Sequence, residues 1–502
     1  MESITESLLF LTIIGFCWAS SPLPPHIVFI LADDLGWNDV GYHGSVIKTP
    51  AIDNLAREGV RLENYYVQPV CSPTRSQLLT GRYQIHTGLQ HSIIWMSTPL
   101  CLPSDEVIIA QKLKEAGYST HLIGKWHVGH YMSHCLPHKR GFDSFFGFYQ
   151  AGSDYYFHNS TNGVYTGWDL RRDDLLVADE YFGKYSTTMY TQEAIDLISK
   201  HDRDKPMFLL FSHQAVHVPL QVPASYSNAY LDLIEDPKRR VYAGMVSSLD
   251  LSVDDVVCAL KSAGMWDNTV LIFSSDNGGS TAEGGNNWPL RGGKASLHEG
   301  GIRAVSFVNS PLLPINVKGS INKELIHVTD WFPTLVHLAK GNFNGVKPLD
   351  GINQWQTISE GKPSPRYEIL HNIDPLSFRP RARGDEWLGN PYFDITTQAA
   401  IRIGDWKLLT GKPGNGKWIP PPESGMEIIE NTSLRDELVQ LYNIRHDPSE
   451  MTDLARSRPD IVSQLLYRLS LYNATAVPCS FPKEDVRGSN PSMGDGGWGP
   501  WL

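Results

Sequence analysis

Short apolar runs at residues 27–32, 119–123, 207–211, 270–273 and 304–308 punctuate this chain, each with the length of a strand rather than of a buried helix. Stretches of helical period lie between them. Residues 51–58 follow Thr49 and Pro50 as cap and first turn, 107–116 stop at Gly117, 193–199 are amphipathic, and 239–260 are long and periodic. Strand and helix in alternation predict an α/β fold, a mostly parallel sheet covered on both faces. A further short helix is expected at 73–80, with Pro73 at its first position and Gly81 just past its last. Beyond about residue 340 the texture changes to loops rich in Gly, Pro and Asn, and residues 399–409 then read as a hairpin turning at Gly404 and Asp405. This predicts a large domain over 22–385 and a smaller antiparallel α+β domain over 386–502. The stretch 488–502, rich in Gly, Pro and Trp, is expected to be loosely ordered. There is no internal repeat.

Composition narrows the functional classes. The 502 residues are 41% hydrophobic and 19% charged, with a net charge of −11 and no basic run longer than the triplet Lys238-Arg239-Arg240. A nucleic-acid footprint is therefore excluded, and an anionic substrate would have to be held by local bases. Residues 8–18 are apolar and are followed by Ala19, Ser20 and Ser21, which reads as a secretory signal over 1–21. The apolar run is shorter than the roughly 20 residues a span requires, and no later stretch qualifies, so no transmembrane segment is expected in the mature chain. Glycosylation sequons at Asn159, Asn431 and Asn473 agree with a secretory route. With Cys17 in the signal and Cys71 set apart, Cys101, Cys135, Cys258 and Cys479 are available for bridges that spacing alone cannot assign.

The candidate chemistry gathers at strand ends. Asp33 and Asp34 follow the first predicted strand, Lys125 and His127 the second, His217 the third, and Asp276 and Asn277 the fourth. Open α/β sheets bind ligands beyond the carboxyl ends of their strands, so these side chains should share one rim. The acidic set offers only oxygen, which suits a hard cation such as calcium, or magnesium, better than zinc. His127, His130, His134 and His138 lack the paired spacing and partner cysteines of a zinc motif. Cys71 stands at the amino end of a helix beside Arg75, where the unpaired N–H groups would depress a thiol pKa. Lys294 sits among glycines, which let a backbone approach a ligand closely.

The run Cys71-Ser72-Pro73-Thr74-Arg75, with Leu79-Thr80-Gly81-Arg82, resembles the sulfatase signature. Further pieces agree: Leu31-Ala32-Asp33-Asp34-Leu35-Gly36-Trp37, Gly124-Lys125-Trp126-His127, Val216-His217-Val218-Pro219, Ser275-Asp276-Asn277-Gly278-Gly279 and the segment around Lys294. Over residues 27–308 the chain is similar to the sulfatases of the alkaline phosphatase superfamily, most of all to the arylsulfatase B group, the N-acetylgalactosamine-4-sulfatases. That resemblance implies an alkaline-phosphatase-like fold and hydrolysis of sulfate esters, on glycosaminoglycans and on small aryl sulfates. It implies a formylglycine made from Cys71 by a formylglycine-generating enzyme, and one Ca²⁺ held by Asp33, Asp34, Asp276, Asn277 and the modified Cys71. Arg75, Lys125, His127, His217 and Lys294 would line the sulfate pocket. The hydrated aldehyde would attack sulfur, His217 or Lys294 would protonate the leaving alcohol, and His127 would take the proton that restores the aldehyde. The resemblance also implies a Cys101 to Cys135 bridge. His298 departs from the tryptophan common at its place, which bears on the wall of the sugar pocket. The alternatives are a phosphoester hydrolase of the same fold, whose two transition metals would call for more histidines, and an inactive relative that binds sulfated glycans.

Overall fold

The computed structural model describes residues 23–380, 386–431, 437–479, 481–493 and 495–502; the expected signal at 1–21 lies outside them. A ten-stranded sheet forms the frame. Its middle is a parallel block in the order Thr269–Ser275, His26–Ala32, Met207–Ser212, Ser119–Lys125 and Ser144–Phe148. In register, Ile30 lies beside both Phe211 and Phe273, and Phe211 beside Ile123. All seven residues of His26–Ala32 are buried, as a strand covered on both faces must be. Val28, Ile30 and Ala32 pack on one face with side chains of the helices Ser186–Lys200 and Pro237–Ser262, among them Tyr190, Ile198, Leu249 and Val253. Ile27, Phe29 and Leu31 pack on the other, with Leu78 and Leu79 of the helix Cys71–Thr80, Leu113 of Ile109–Glu115, and Leu335 of Trp331–Leu338.

The strand expected at 304–308 is present as Ser306–Asn309, but it runs antiparallel to Thr269–Ser275 and makes the sheet mixed. The helix expected at 193–199 is twice that length, Ser186–Lys200, because Thr187, Met189, Tyr190 and Thr191 extend its buried face.

The second sheet has four antiparallel strands, Glu368–Asp374, Gln398–Ile403, Trp406–Thr410 and Val439–Asn443, and packs against the helix Pro459–Thr475. Its central hairpin turns at Gly404, whose φ of 54° is left-handed. The first strand begins at Glu368, upstream of the expected boundary at 386. It pairs antiparallel with Gln398–Ile403. The last residues are not loose either. Trp498 is 2% exposed and donates to the Ser160 carbonyl at 3.0 Å, and Arg171 grips Asp495 with Nη1 and Nη2 at 2.8 and 2.9 Å. Large apolar side chains in a low-complexity tail supplied the burial that its glycines obscured.

Cys101 and Cys135 are bridged, and Cys258 and Cys479 are free. Asn473 is exposed on its helix, whereas Asn159 is half-buried in a short strand. No helix among the described residues is long and apolar enough to cross a membrane.

Candidate active site

Cys71 is the first residue of the helix Cys71–Thr80, so Pro73 falls at the third position rather than the first, still within the turn whose amides lack helical partners. Gly81 ends the helix in the left-handed region at φ 68°, donating to the Gln77 carbonyl. This helix brings Cys71 and Arg75 onto the rim where the parallel strands end. Cys71 Sγ lies 3.6 Å from Asp33 Oδ1. Lys125 Nζ is 2.6 Å from Asp33 Oδ2, and Lys294 Nζ is 2.7 Å from Asp34 Oδ2. Arg75 donates from Nε and Nη2 to Asp276 Oδ2 at 3.1 and 2.8 Å. Asn277 Nδ2 donates to Asp34 Oδ1 at 2.7 Å, and the Asp34 amide donates to Asp276 Oδ1 at 3.2 Å.

Two histidines complete the ring. His217 Nδ1 donates to the Val218 carbonyl at 2.8 Å, and its Nε2 stands 3.8 Å from Asp34 Oδ2. His127 sits at a left-handed φ of 54°, and its Nε2 donates to the Ile94 carbonyl at 3.2 Å. That bond puts the proton on Nε2 and leaves Nδ1, buried and unpartnered, as the nitrogen able to accept one. Every predicted site residue therefore lies in one cluster. Ser212 was missed by the sequence reading: its Oγ accepts from Arg75 Nη1 at 2.6 Å and donates to the Lys125 carbonyl at 2.7 Å, joining two bases. Its signal was a hydroxyl at the last position of an otherwise apolar strand.

The electrostatics differ from expectation at Cys71. The helix terminus was expected to depress the thiol, but burial pushes it up to about 12, a loss of solvation that Lys125 and Lys294 do not recover. Burial and the neighbouring Asp33 carboxylate raise Asp276 to about 6 against the pull of Arg75. Burial acts the same way on Asp34, but Lys294 and His217 outweigh it and hold Asp34 at about 2. Burial lowers His217 to about 3 and carries His127 well below the usual range, with Lys125 and Arg75 adding to the effect on His127.

The residues fit a divalent cation. Ligand atoms of Asp33, Asp34, Cys71 and His217 lie within 4.8 Å of one another, and Asn277 Oδ1 is a buried carbonyl oxygen with no partner. Three carboxylates (Asp33, Asp34, Asp276) face three cations (Arg75, Lys125, Lys294), so a divalent metal entering with a divalent anion preserves the balance of charge. His130 and His134 lie away from this cluster, His130 stacked on Tyr149 and His134 near the Cys101 to Cys135 bridge. His298 does not wall the site. It is 1% exposed, with Nδ1 3.4 Å from Glu450 of the small domain.

Residues 25–341 match the Sulfatase family model. The chain belongs to the sulfatase family. Arylsulfatase J of Mus musculus is 51% identical over 487 residues, 95% of this chain and 80% of its own length. N-acetylgalactosamine-6-sulfatase of Mus musculus is 32% identical over 381 residues, 71% of this chain and 70% of that protein. The solved structure of Ps i-CgsB in complex with k-i-k-neocarrahexaose superposes with a TM-score of 0.76 at 29% identity, covering 92% of this chain and 95% of the other. This sulfatase is thus a sulfuric ester hydrolase with the expected alkaline-phosphatase-like architecture. The matches carry the family and an arylsulfatase relationship without singling out the arylsulfatase B group.

Proposed function

We propose that this sulfatase releases sulfate from saccharide monoesters, foremost the N-acetylgalactosamine 4-sulfate groups of glycosaminoglycans, and that it also cleaves small aryl sulfates. The observation that carries this reading is the position of Cys71, at a helix start 3.6 Å from Asp33 and inside a ring of three cations. Arg75, Lys125 and Lys294 bind and screen the sulfate oxygens, where charge is worth most in a site closed to water. His217 or Lys294 delivers a proton to the departing alcohol, and His127 Nδ1, with no partner of its own, accepts the proton that returns position 71 to its resting state. Formylglycine formed from Cys71 by a formylglycine-generating enzyme supplies a hydrated carbonyl as nucleophile, and Ca²⁺ on Asp33, Asp34, Asp276 and Asn277 supplies the charge that activates it. Such maturation belongs to the secretory pathway, to which the signal, the sequons at Asn159, Asn431 and Asn473, and the Cys101 to Cys135 bridge also point. A lysosomal or extracellular enzyme follows.

The test is mass spectrometry of the Cys71 peptide from secreted protein, together with aryl sulfate turnover by that protein and by Cys71→Ala. Conversion of the thiol to the aldehyde, with turnover abolished in the variant, is the expected result. An unmodified thiol in fully active protein, or equal rates for the two proteins, would overturn the assignment.

A further inference from the structure

Beside the cation ring, a cavity of about 230 Å³ opens between the catalytic loops and the small domain. Its walls include Val70 and Pro73, which flank Cys71, and Ala295, which follows Lys294. The Ala295 amide donates to the Pro69 carbonyl at 2.8 Å, so the Lys294 loop and the approach to Cys71 are joined at this wall. Across the cavity stand Gln90 and His91 of one loop and Asp374 at the end of the strand Glu368–Asp374.

The hydrogen-bonding capacity of these groups is not exhausted. Gln90 is 3% exposed and its Oε1 has no partner, although a buried carbonyl oxygen without a donor costs about 1–3 kcal/mol. His91 Nδ1 lies 2.9 Å from Asp374 Oδ2, and Asp374 Oδ1 in turn accepts from the Leu376 and Ser377 amides at 2.9 and 3.1 Å. The carboxylate therefore holds a proton on Nδ1 and leaves Nε2, on the far side of the ring, for a ligand. Gln90 Oε1 requires a donor, and no lysine or arginine lines the cavity.

We propose that this cavity holds the alcohol part of the substrate as a neutral saccharide ring that donates hydrogen bonds from hydroxyl or acetamide N–H groups. Gln90 and His91 are its specificity-determining residues, and Asp374 is a positioning residue acting through His91. A second sulfate or a carboxylate, which can only accept, is disfavoured there, because it would meet the Gln90 carbonyl oxygen and a buried acid. This inference rests on the sulfatase reading of the adjoining site.

The test compares Gln90→Leu and His91→Ala with the unaltered, matured enzyme on three substrates: a small aryl sulfate, monosulfated N-acetylgalactosamine, and the same sugar carrying a second sulfate. For each variant we expect kcat/KM on the monosulfated sugar to fall by about 10- to 100-fold, the range of an unpaired buried polar group. Turnover of the aryl sulfate, which does not reach the cavity, should stay within about twofold and so report intact folding and chemistry. Unaltered enzyme should also prefer the monosulfated sugar to the disulfated one. Equal losses on sugar and aryl substrates, no loss on the sugar, or preference for the disulfated sugar would each overturn the inference while leaving the sulfatase assignment standing. An unaltered enzyme that cleaves none of the three would sink both.

Discussion

Lys407→Met removes the only ammonium from a buried knot that ties the two domains together. Lys407 is fully buried on the hairpin strand Trp406–Thr410, with Nζ 2.9 Å from Glu299 of the large domain and 2.9 Å from Glu450 of the small one. The Glu299 amide donates to Glu450 Oε2 at 2.8 Å, and Tyr66 donates to Glu299 Oε2 at 2.8 Å. Methionine keeps the volume but leaves Glu450 with His298 and Glu299 with Arg303, at 3.4 and 3.8 Å, as their basic neighbours, and stripping one partner from a buried ion pair costs about 3–5 kcal/mol. A disulfide-bonded enzyme of this size is best followed by irreversible thermal inactivation, a rate set by the unfolding barrier. If between half and all of about 4 kcal/mol is lost before that barrier, inactivation accelerates by roughly 30- to 1000-fold. The pH dependence gives a second readout. Burial pushes Glu450 up, but Lys407 and His298 more than offset it and hold it at about 2, so in the unaltered protein its stabilisation is present above about 4.5 and is lost as pH falls towards 2. Without Lys407 the largest offset to burial at Glu450 is gone, so acid returns stability by protonating that carboxylate. The deficit of the variant should therefore shrink from pH 7 to pH 4.5, and Lys407→Met with Glu450→Gln should inactivate more slowly than Lys407→Met alone. Inactivation at the unaltered rate, or a deficit that widens on acidification, would refute the reasoning.

Other outcomes follow from the same geometry. Arg75→Lys keeps the charge but loses the two-pronged grip on Asp276 and the bond to Ser212, and kcat on an aryl sulfate should fall by at least about 100-fold with the melting temperature little changed. Gly124→Ala would place a Cβ 1.9 Å from the Ser212 carbonyl at a φ of 98°, so strand pairing next to Lys125 must shift; near-complete loss of activity with a lowered melting temperature is expected. Burial lowers His26 to about 4, an effect His201 reinforces, so the unfolded chain takes up a proton from about pH 6.5 downward before the fold does. Stability should decline between those values as pH falls, and His26→Asn, which retains an acceptor for the Met207 amide, should flatten the decline in a pH series of melting curves.

Local pattern determined much of this protein. The apolar runs were strands because three of the four central ones are buried on both faces throughout, and the parallel order followed from their alternation with helices, so Asp33, Lys125, His217 and Asp276 were bound to meet at one rim. The signature around Cys71 likewise marked the position that the proposed function makes the nucleophile. Tertiary structure decided what no window of sequence contains. Whether Cys71 sits as a depressed or a raised thiol depends on the solvent excluded by loops far away in the chain, and burial won over the helix terminus. The same holds for Glu368–Asp374, whose partner strand lies beyond a long polar connection, and for the tail, whose Trp498 found its burial only against Ser160 and Arg171. Pairing His91 with Asp374 needed the two domains to close on each other, since contacts separated by nearly three hundred residues are set by packing and not by periodicity.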